Sequence, residues 1–375
     1  MKVLHVLPYI DPRKGGPVSA VDSLVDLCVQ KNIDSSILVI NNTFQCCAFE
    51  NIPLNYEFEK ISFLSLFSPR RLIYTFLTIR NILNKYDIIH VHVPFSLSAI
   101  ISCFICLFLK KCYIISPHGS FSSWAMSKKK LKKKFFMNTI GNVFFKKAIF
   151  VHSTSSYEKD QILLNTKLNN IKILHLPVKK YEHNNSILTK KNKSDILKLV
   201  TVCRLDPVKN IPLLFEVIYD LNQIGMNISL DVYGAGDETY YRSIANLIRQ
   251  YKLENCIRLL GFLGRNDLEK ELSKYDLFIL LSTHENYSMA TVEALSVGLP
   301  VITSSEVGIS SDIIEYNAGL VVPLCDINLL KLAIRKFLQF GLSPQNGLNA
   351  LKLFNERFSY SAVGSEIKLF YTVRH

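Results

Sequence analysis

The chain has 375 residues, 49% of them hydrophobic and 20% charged, with a formal net charge of +13. That length suggests two domains of roughly 100 to 200 residues each, and the apolar content excludes a disordered or low-complexity polypeptide. Nine cysteines, an odd number scattered mostly through apolar segments, argue against a disulfide scaffold and for reduced thiols, while the positive charge favours anionic partners: phosphates, nucleotide diphosphates, nucleic acid or an acidic membrane face.

The first half alternates strand and helix patterns. Lys2 to Leu7 reads as a strand running into a loop rather than a secretory signal, because no cleavage region follows. Pro17 to Lys31 is a helix, Ser36 to Ile40 a strand, Pro69 to Lys85 a basic helix, Ile88 to Val93 a strand, Ser96 to Leu109 a helix and Tyr113 to Ser116 a strand. Such alternation argues for right-handed βαβ units and a parallel sheet covered on both faces. Val91 to Leu109 lacks Asp, Glu, Lys and Arg, and about 20 apolar residues would span a bilayer. Pro94 and the polar His92, Ser96, Ser98 and Ser102 favour a strand, a turn and a buried helix instead. Cys103 and Cys106 form a C-x-x-C without a second pair, so no metal or redox site is expected there.

Several stretches of this half carry candidate chemistry. Gly15 and Gly16, adjacent before a helix, would let backbone N–H groups approach a phosphate. His118 follows a strand end in Ser116-Pro117-His118-Gly119. Lys128, Lys129, Lys130, Lys132, Lys133 and Lys134, continued by Phe135, Phe136, Ile140, Val143 and Phe144, predict a basic amphipathic helix. It would lie on an anionic leaflet, each nearby lysine contributing about 1 kcal/mol. Nucleic acid would use the same charges, but nothing else here resembles a nucleic-acid module. Phe150 to His152 is a strand, Ser155-Ser156-Tyr157-Glu158 a capping box, and Ile171 to Leu176 another strand.

Tyr181 to Ser194 is polar enough to be a linker. Beyond it the alternation resumes with strand Leu197 to Val202, helix Pro212 to Leu221, strand Ser229 to Tyr233 ending in Gly234-Ala235-Gly236, helix Tyr240 to Tyr251, strand Ile257 to Leu260 and helix Asp267 to Lys274. Asp276 to Leu281 is a buried strand, Ser288 to Val297 a helix stopped by Gly298-Leu299-Pro300, and Pro300 to Thr303 a strand. Helices Leu329 to Phe340, Pro344 to Phe354 and Ser361 to Val373 follow. The spacing of Arg204 and Lys209 lets both converge on one anionic site from a turn and a helix start. Glu285 in a loop and Glu293 on a helix can each address a different part of one extended ligand, at the carboxyl ends of strands where open α/β sheets bind ligands.

Glu285 and Glu293, followed by Ala294-Leu295, Gly298 and Pro300-Val301, resemble the E-x7-E signature of retaining GT-B glycosyltransferases of family 4. Arg204 and Lys209 resemble the same family's diphosphate clamp, R-x-x-x-x-K. The resemblance covers nearly the whole chain, with its specific motifs concentrated in the second half. It implies an α/β fold of two Rossmann-like parallel-sheet domains facing a cleft: an acceptor-side domain 1–180, a linker 181–196, a nucleotide-sugar-binding domain 197–355, and a C-terminal helix within 356–375 crossing back to the first domain. It also implies roles. Glu293 would accept from the ribose hydroxyls, and Arg204 and Lys209 would hold the leaving diphosphate. Glu285 and His118 would approach the transferring sugar, and Asn286, Tyr287, Ser288 and Met289 would present backbone N–H groups to the sugar or phosphate, with Gly15 and Gly16 facing the pyrophosphate. The phosphate itself would take the acceptor's proton in a front-face, retaining transfer. No cofactor and no metal are implied, and no D-x-D-type metal motif stands in a fitting place.

The chain departs from the family at Pro177-Val178-Lys179, where Pro-Asn-Gly is common, and at Ser288, where Gly is common. The function implied is transfer of a hexosyl-type sugar from a nucleotide-diphosphate donor to a lipid-linked or oligosaccharide acceptor in surface-polysaccharide synthesis. The expected place is the cytoplasm, peripheral at the inner face of the plasma membrane, with no nucleic acid as partner. Two alternatives stay open: a sugar-nucleotide epimerase or hydrolase of the same fold, and a non-catalytic binder of anionic lipid or nucleic acid.

Overall fold

The structure, a computed structural model, describes residues 1–10, 16–41, 58–62, 69–127, 130–180, 196–324, 326–340 and 344–372. The chain forms two compact units, Met1–Pro177 together with Val363–His375, and Val178–Ala362.

The first unit carries β1 (Lys2–Leu7), α1 (Gly16–Gln30), β2 (Asp34–Asn41), β3 (Phe58–Ser62), α2 (Pro69–Asn84), β4 (Ile88–His92), α3 (Leu97–Leu109) and β5 (Cys112–Ser116). Then follow α4 (Ser123–Ser127), α5 (Lys130–Phe136), α6 (Asn142–Lys147), β6 (Val151–Ser153), α7 (Ser156–Asn165) and β7 (Ile171–Ile173). Its described strands pair in parallel in the order β3-β2-β1-β4-β5-β6-β7. All five residues of β4 are buried, as a central strand covered on both faces requires. The short β3, with the pattern Phe-Glu-Lys-Ile-Ser, gives no run long enough to announce a strand. The strand expected over Ile171 to Leu176 pairs only through Ile173.

Two expectations need correction here. Helix α3 is half covered rather than buried: Ser98, Ala99, Ser102, Cys103, Ile105 and Cys106 face inward, but Phe104 and Phe108 are 57% and 68% exposed. The single basic amphipathic helix is broken into α5, a π-turn over Met137–Gly141, and α6. Thr139 leaves helical geometry at φ −117° and ψ −108°, and its hydroxyl donates to the carbonyl of Phe135 at 2.8 Å, a local bond that competes with the regular backbone ladder. The break splits the apolar residues between two directions. Phe144 and Phe145 enter the core, whereas Leu131, Phe135, Ile140 and Val143 face solvent.

The second unit carries β8 (Leu197–Val202), α8 (Ile211–Gln223), β9 (Ile228–Tyr233), α9 (Glu238–Gln250), β10 (Ile257–Gly261), α10 (Arg265–Leu272), β11 (Leu277–Leu280), α11 (Met289–Ser296) and β12 (Val301–Ser304). It closes with α12 (Ser310–Tyr316), β13 (Gly319–Val322), α13 (Ile327–Phe340), α14 (Pro344–Leu353) and the start of α15 (Tyr360–Tyr371). The strands pair in parallel in the order β10-β9-β8-β11-β12-β13. The order reverses between β8 and β11, so the loops that follow these two strands part there and leave the crevice in which such sheets bind ligands. In the first unit the reversal falls between β1 and β4. Among the described residues no helix is long and apolar enough to cross a membrane.

Candidate functional site

The sequence between β8 and α8 folds back on itself. Asp206 caps the short 3-10 turn Pro207–Lys209, its Oδ1 accepting from the N–H of Val208 at 3.0 Å. The same carboxylate pairs with Arg204 at 3.0 Å, so one acid orients both the turn and the guanidinium. The loop after β11 is tied to this turn by the N–H of Thr283, which donates to the carbonyl of Val208 at 2.8 Å. Glu285 is fixed in turn by a bridge to Val307: its N–H donates to Glu306 at 3.0 Å, and its carbonyl accepts from Gly308 at 2.8 Å.

These ties bring Lys209 and Glu285 together as an ion pair across the switch point. Their side chains are only 12% and 21% exposed. Burial opposes the charge on Lys209, but the neighbouring Glu285 carboxylate outweighs it and raises the ammonium above the ordinary lysine value. Lys209 is therefore a fixed cation. Arg204, more exposed, stands beside it as a second. The arrangement sets two adjacent positive charges, each paired with its own carboxylate, Asp206 and Glu285, where an arriving anion would compete for them; paired cations are the chemistry a departing diphosphate needs.

Close backbone packing places Arg204. Leu205 donates its N–H to Ala235 at 2.9 Å and bridges Gly236. A Cβ on Gly234, whose φ is +152°, would stand 1.8 Å from the carbonyl oxygen of Cys203, and one on Gly236 would stand 2.0 Å from that of Leu205. Only bare backbone fits. The Gly234→Ala variant is expected to lose about 3 kcal/mol or more of stability, because a backbone must move to admit it. Urea denaturation read by far-ultraviolet circular dichroism checks this.

Helix α11 begins at a strained residue. Ser288 has φ +74° and ψ +77°, a conformation in which an L side chain crowds its own backbone and glycine is at ease. Its hydroxyl contributes the helix cap, accepting from the N–H of Thr291 at 3.4 Å and lying 2.7 Å from the Thr291 hydroxyl. The cap offsets part of the strain. Ser288→Val, which adds a β-branch and removes the cap, is expected to cost about 2 kcal/mol, and Ser288→Gly less than about 1 kcal/mol, by denaturant titration. Tyr287 is buried with its ring edge-on to Phe358 at 5.9 Å. Asn286, Met289 and Glu293 are half-buried. The helix stops at Gly298, φ +73°, where the N–H groups of Gly298 and Leu299 return to the carbonyls of Leu295 and Ala294.

In the first unit Gly16 opens α1, while Gly15, Lys128 and Lys129 lie outside the described residues. His118 is half-buried at φ +49°. Its loop is fixed by Glu158: one carboxylate oxygen accepts from the N–H of Gly119 at 2.6 Å, the other from the N–H and hydroxyl of Thr154 at 2.8 and 2.9 Å. Of the expected capping box the Ser155 half is shown, its hydroxyl accepting from the N–H of Glu158 at 3.1 Å. Its acid therefore also serves the His118 loop. Lys130, Lys132 and Lys134 are exposed. Lys133 instead turns back, donating to the carbonyl of Ala125 at 2.7 Å and lying over the ring of Phe95.

The residues that sequence reasoning passed over are the histidines around His118. His90 and His92, two apart on β4, share a face with His5, the register partner of His90. His152 Nε2 donates to the carbonyl of Leu174 at 2.9 Å, so its Nδ1 accepts from Ser116 at 2.8 Å. The Ser116 oxygen then accepts from His90 Nε2 at 2.7 Å, and His90 Nδ1 accepts from the Tyr371 hydroxyl at 2.8 Å. One carbonyl thus sets every proton in this chain. His5, His90 and His92 each place a nitrogen within 4.8 Å of the others, a spacing a metal ion could use. Of these six nitrogens only His5 Nε2 has no hydrogen-bond partner among the described residues, so ligation by all three rings would break existing bonds. The pattern His-Val-His on a strand was the available signal.

Comparison with known proteins gives the family and the fold. Residues 15–179 match the model described as Glycosyltransferase Family 4, and residues 184–346 that described as Glycosyl transferases group 1. The chain belongs to the family 4 glycosyltransferases. Over 141 residues it is 30% identical to the amylovoran biosynthesis glycosyltransferase AmsK of Erwinia amylovora, covering 36% of this chain and 34% of that one. Over 343 residues it is 25% identical to an uncharacterized 41.2 kDa protein in the cps region of Klebsiella pneumoniae, covering 88% and 87%. The matched stretch spans about a third of the length of the first curated relatives. Among solved structures, Alr3699/HepE of Anabaena, crystallised with UDP and glucose, superposes over 99% of both chains with a TM-score of 0.79 at 17% identity. The fold is therefore GT-B.

Proposed function

We propose that the chain moves a sugar from a nucleoside-diphosphate donor to a lipid-linked or oligosaccharide acceptor in the synthesis of a cell-surface polysaccharide, with retention of the anomeric configuration. The observation that carries this reading is the Lys209–Glu285 pair at the second unit's switch point, with Arg204 beside it. On this reading Glu293 accepts hydrogen bonds from the two ribose hydroxyls, since a carboxylate offers paired acceptors to a vicinal diol. Arg204 and Lys209 bind the diphosphate and stabilise the charge that grows on it as the glycosidic bond breaks. With two fixed cations in that role, no divalent metal is needed. The arriving diphosphate competes with Glu285 for Lys209 and turns the carboxylate toward the donor sugar's hydroxyls. The backbone from Asn286 to Met289, at the start of α11, meets sugar or phosphate, and His118 hydrogen-bonds the transferring sugar. A phosphate oxygen takes the acceptor hydroxyl's proton on the same face. The polysaccharide assignment is supported by the relatives named for amylovoran biosynthesis and for a cps region.

On this reading the first unit works at a membrane surface facing the cytoplasm. Leu131 and Phe135 are 84% and 73% exposed, flanked by exposed Lys130, Lys132 and Lys134. Apolar residues among lysines suit an anionic leaflet. The double variant Leu131→Ser/Phe135→Ser is expected to reduce co-sedimentation with vesicles containing anionic lipid at least about fivefold, consistent with the loss of two buried apolar side chains. Unchanged sedimentation would remove the membrane from the proposal.

A panel of nucleotide sugars tests the function. The true donor at 100 times its dissociation constant should add about 2.7 kcal/mol to stability. Incubated alone, that donor should remain mostly intact; rapid hydrolysis or epimerisation would favour the alternative enzyme of the same fold. If no member of the panel stabilises the protein, the donor-binding reading fails.

A further inference from the structure

The imidazole of His118 does not stand alone. Its Nε2 lies 2.8 Å from His92 Nδ1, and His92 Nε2 lies 3.0 Å from His5 Nδ1. The rings stack along this row, with centroids 5.1 and 5.2 Å apart and interplanar angles of 26° and 10°. Each nitrogen-to-nitrogen link holds one proton. Two protons would repel, and none would set lone pair against lone pair. Three neutral rings so linked must share one tautomer: either every Nδ1 carries hydrogen, or every Nε2 does.

The far end of the row decides between them. His5 is fully buried, and its Nε2 has no hydrogen-bond partner among the described residues. In the second arrangement that atom would be a buried N–H with nothing to receive it, a rarer defect in folded proteins than an unmet acceptor. The first arrangement leaves only a lone pair there. It also leaves His118 with hydrogen on Nδ1, the ring nitrogen not spent on His92. The second histidine chain, anchored by the Leu174 carbonyl, runs separately through Ser116, and among the described residues no hydrogen bond joins it to this row. Because the row ends blindly at His5, it has no exit for a proton, and it serves to orient rather than to conduct.

We propose that His92 and His5 are positioning residues that lock His118 as a neutral imidazole presenting its Nδ1–H as a hydrogen-bond donor to an oxygen of the sugar donor. The identity of that oxygen's owner rests on the transferase reading; the locked tautomer does not. Glu158 holds the backbone of the His118 loop, and the two histidines hold its ring.

The test is a long-range proton–nitrogen spectrum of the full chain labelled with 15N-histidine at neutral pH, with His118→Ala identifying the signal. The wild type is expected to give His118 as a single Nδ1–H tautomer, and His92→Phe to give an averaged or Nε2–H signal. In turnover, His92→Phe is expected to lower kcat about 10- to 100-fold, as a misaligned group does, with the donor KM changed less than threefold. An averaged or Nε2–H signal in the wild type overturns the proposal, and so does a folded His92→Phe that keeps full kcat. The spectrum needs no substrate, so a chain that proves inactive on every nucleotide sugar sinks the transferase reading while leaving the tautomer result intact.

Discussion

Replacing Lys209 by alanine is expected to lower kcat about 100- to 1,000-fold, the loss that follows removal of one preorganised group from developing negative charge. Two features make this side chain sensitive to substitution. It is 12% exposed, so its charge acts with little screening by solvent. Its partner Glu285 holds it protonated against the cost of burial. The substitution also strands Glu285, which is 21% exposed and bridged to Val307. A stability loss of about 1 to 3 kcal/mol should accompany the kinetic effect, since an acid that has lost its cation is costly when shielded from water. Lys209→Arg keeps the charge but changes its shape, and should recover stability better than turnover. Steady-state kinetics with the donor found by the panel, beside urea titration, separate the two effects. Full kcat in a folded Lys209→Ala protein would remove the clamp from the mechanism.

Acid should unfold the first unit well before ordinary carboxylate titration does. Burial first, then the neighbouring imidazoles, push His5 and His118 down to about 3 and hold His90 and His92 well below the ordinary value. His152 is pushed down to about 4, chiefly by burial. In the unfolded chain each would titrate near 6.5. As pH falls below that value, the unfolded chain takes up protons that the folded chain refuses, so stability drops. The loss continues until the folded groups themselves titrate. Each histidine contributes about 1.4 kcal/mol per pH unit within that window. Above about pH 7 both states are neutral at these sites and no dependence from them is expected. Urea midpoints between about pH 7.5 and 5, read by the fluorescence of Trp124, the one tryptophan of the chain, should fall steeply and almost entirely below about 6.5. A midpoint that stays level to pH 5 would contradict the buried neutral cluster.

What could be read from the sequence follows from how local each signal was. Both sheets were legible because Val, Ile and Leu runs such as Ile88 to Val91 and Leu277 to Leu280 alternate with helix patterns of ordinary length. Arg204 and Lys209 were legible because a five-residue spacing across a turn is a local fact. The ion pair of Lys209 with Glu285, residues separated by 76 positions, was not. It depends on β8 and β11 lying side by side, which sequence order does not state. The strain at Ser288 could be anticipated only as an odd residue in a familiar place. The break in the basic helix was hidden because Thr139 and Gly141 are each tolerable in a helix, and only their packing on Phe135 and Phe136 makes a π-turn. The histidine rows were missed because a lone histidine is usually structural. Their meaning came from the pairing of β1 with β4 and from Tyr371, which lies 281 positions from its partner His90.

The most direct measurement is calorimetric titration of UDP, GDP and ADP into the full chain and into Arg204→Ala, Lys209→Ala and Glu293→Ala. The account predicts that one of these nucleotides binds the wild type, and that each substitution weakens it at least about tenfold, the loss of one charged or paired contact of about 1.4 kcal/mol or more. Binding that is undiminished in all three variants, or no binding of any nucleotide by the wild type, would contradict it.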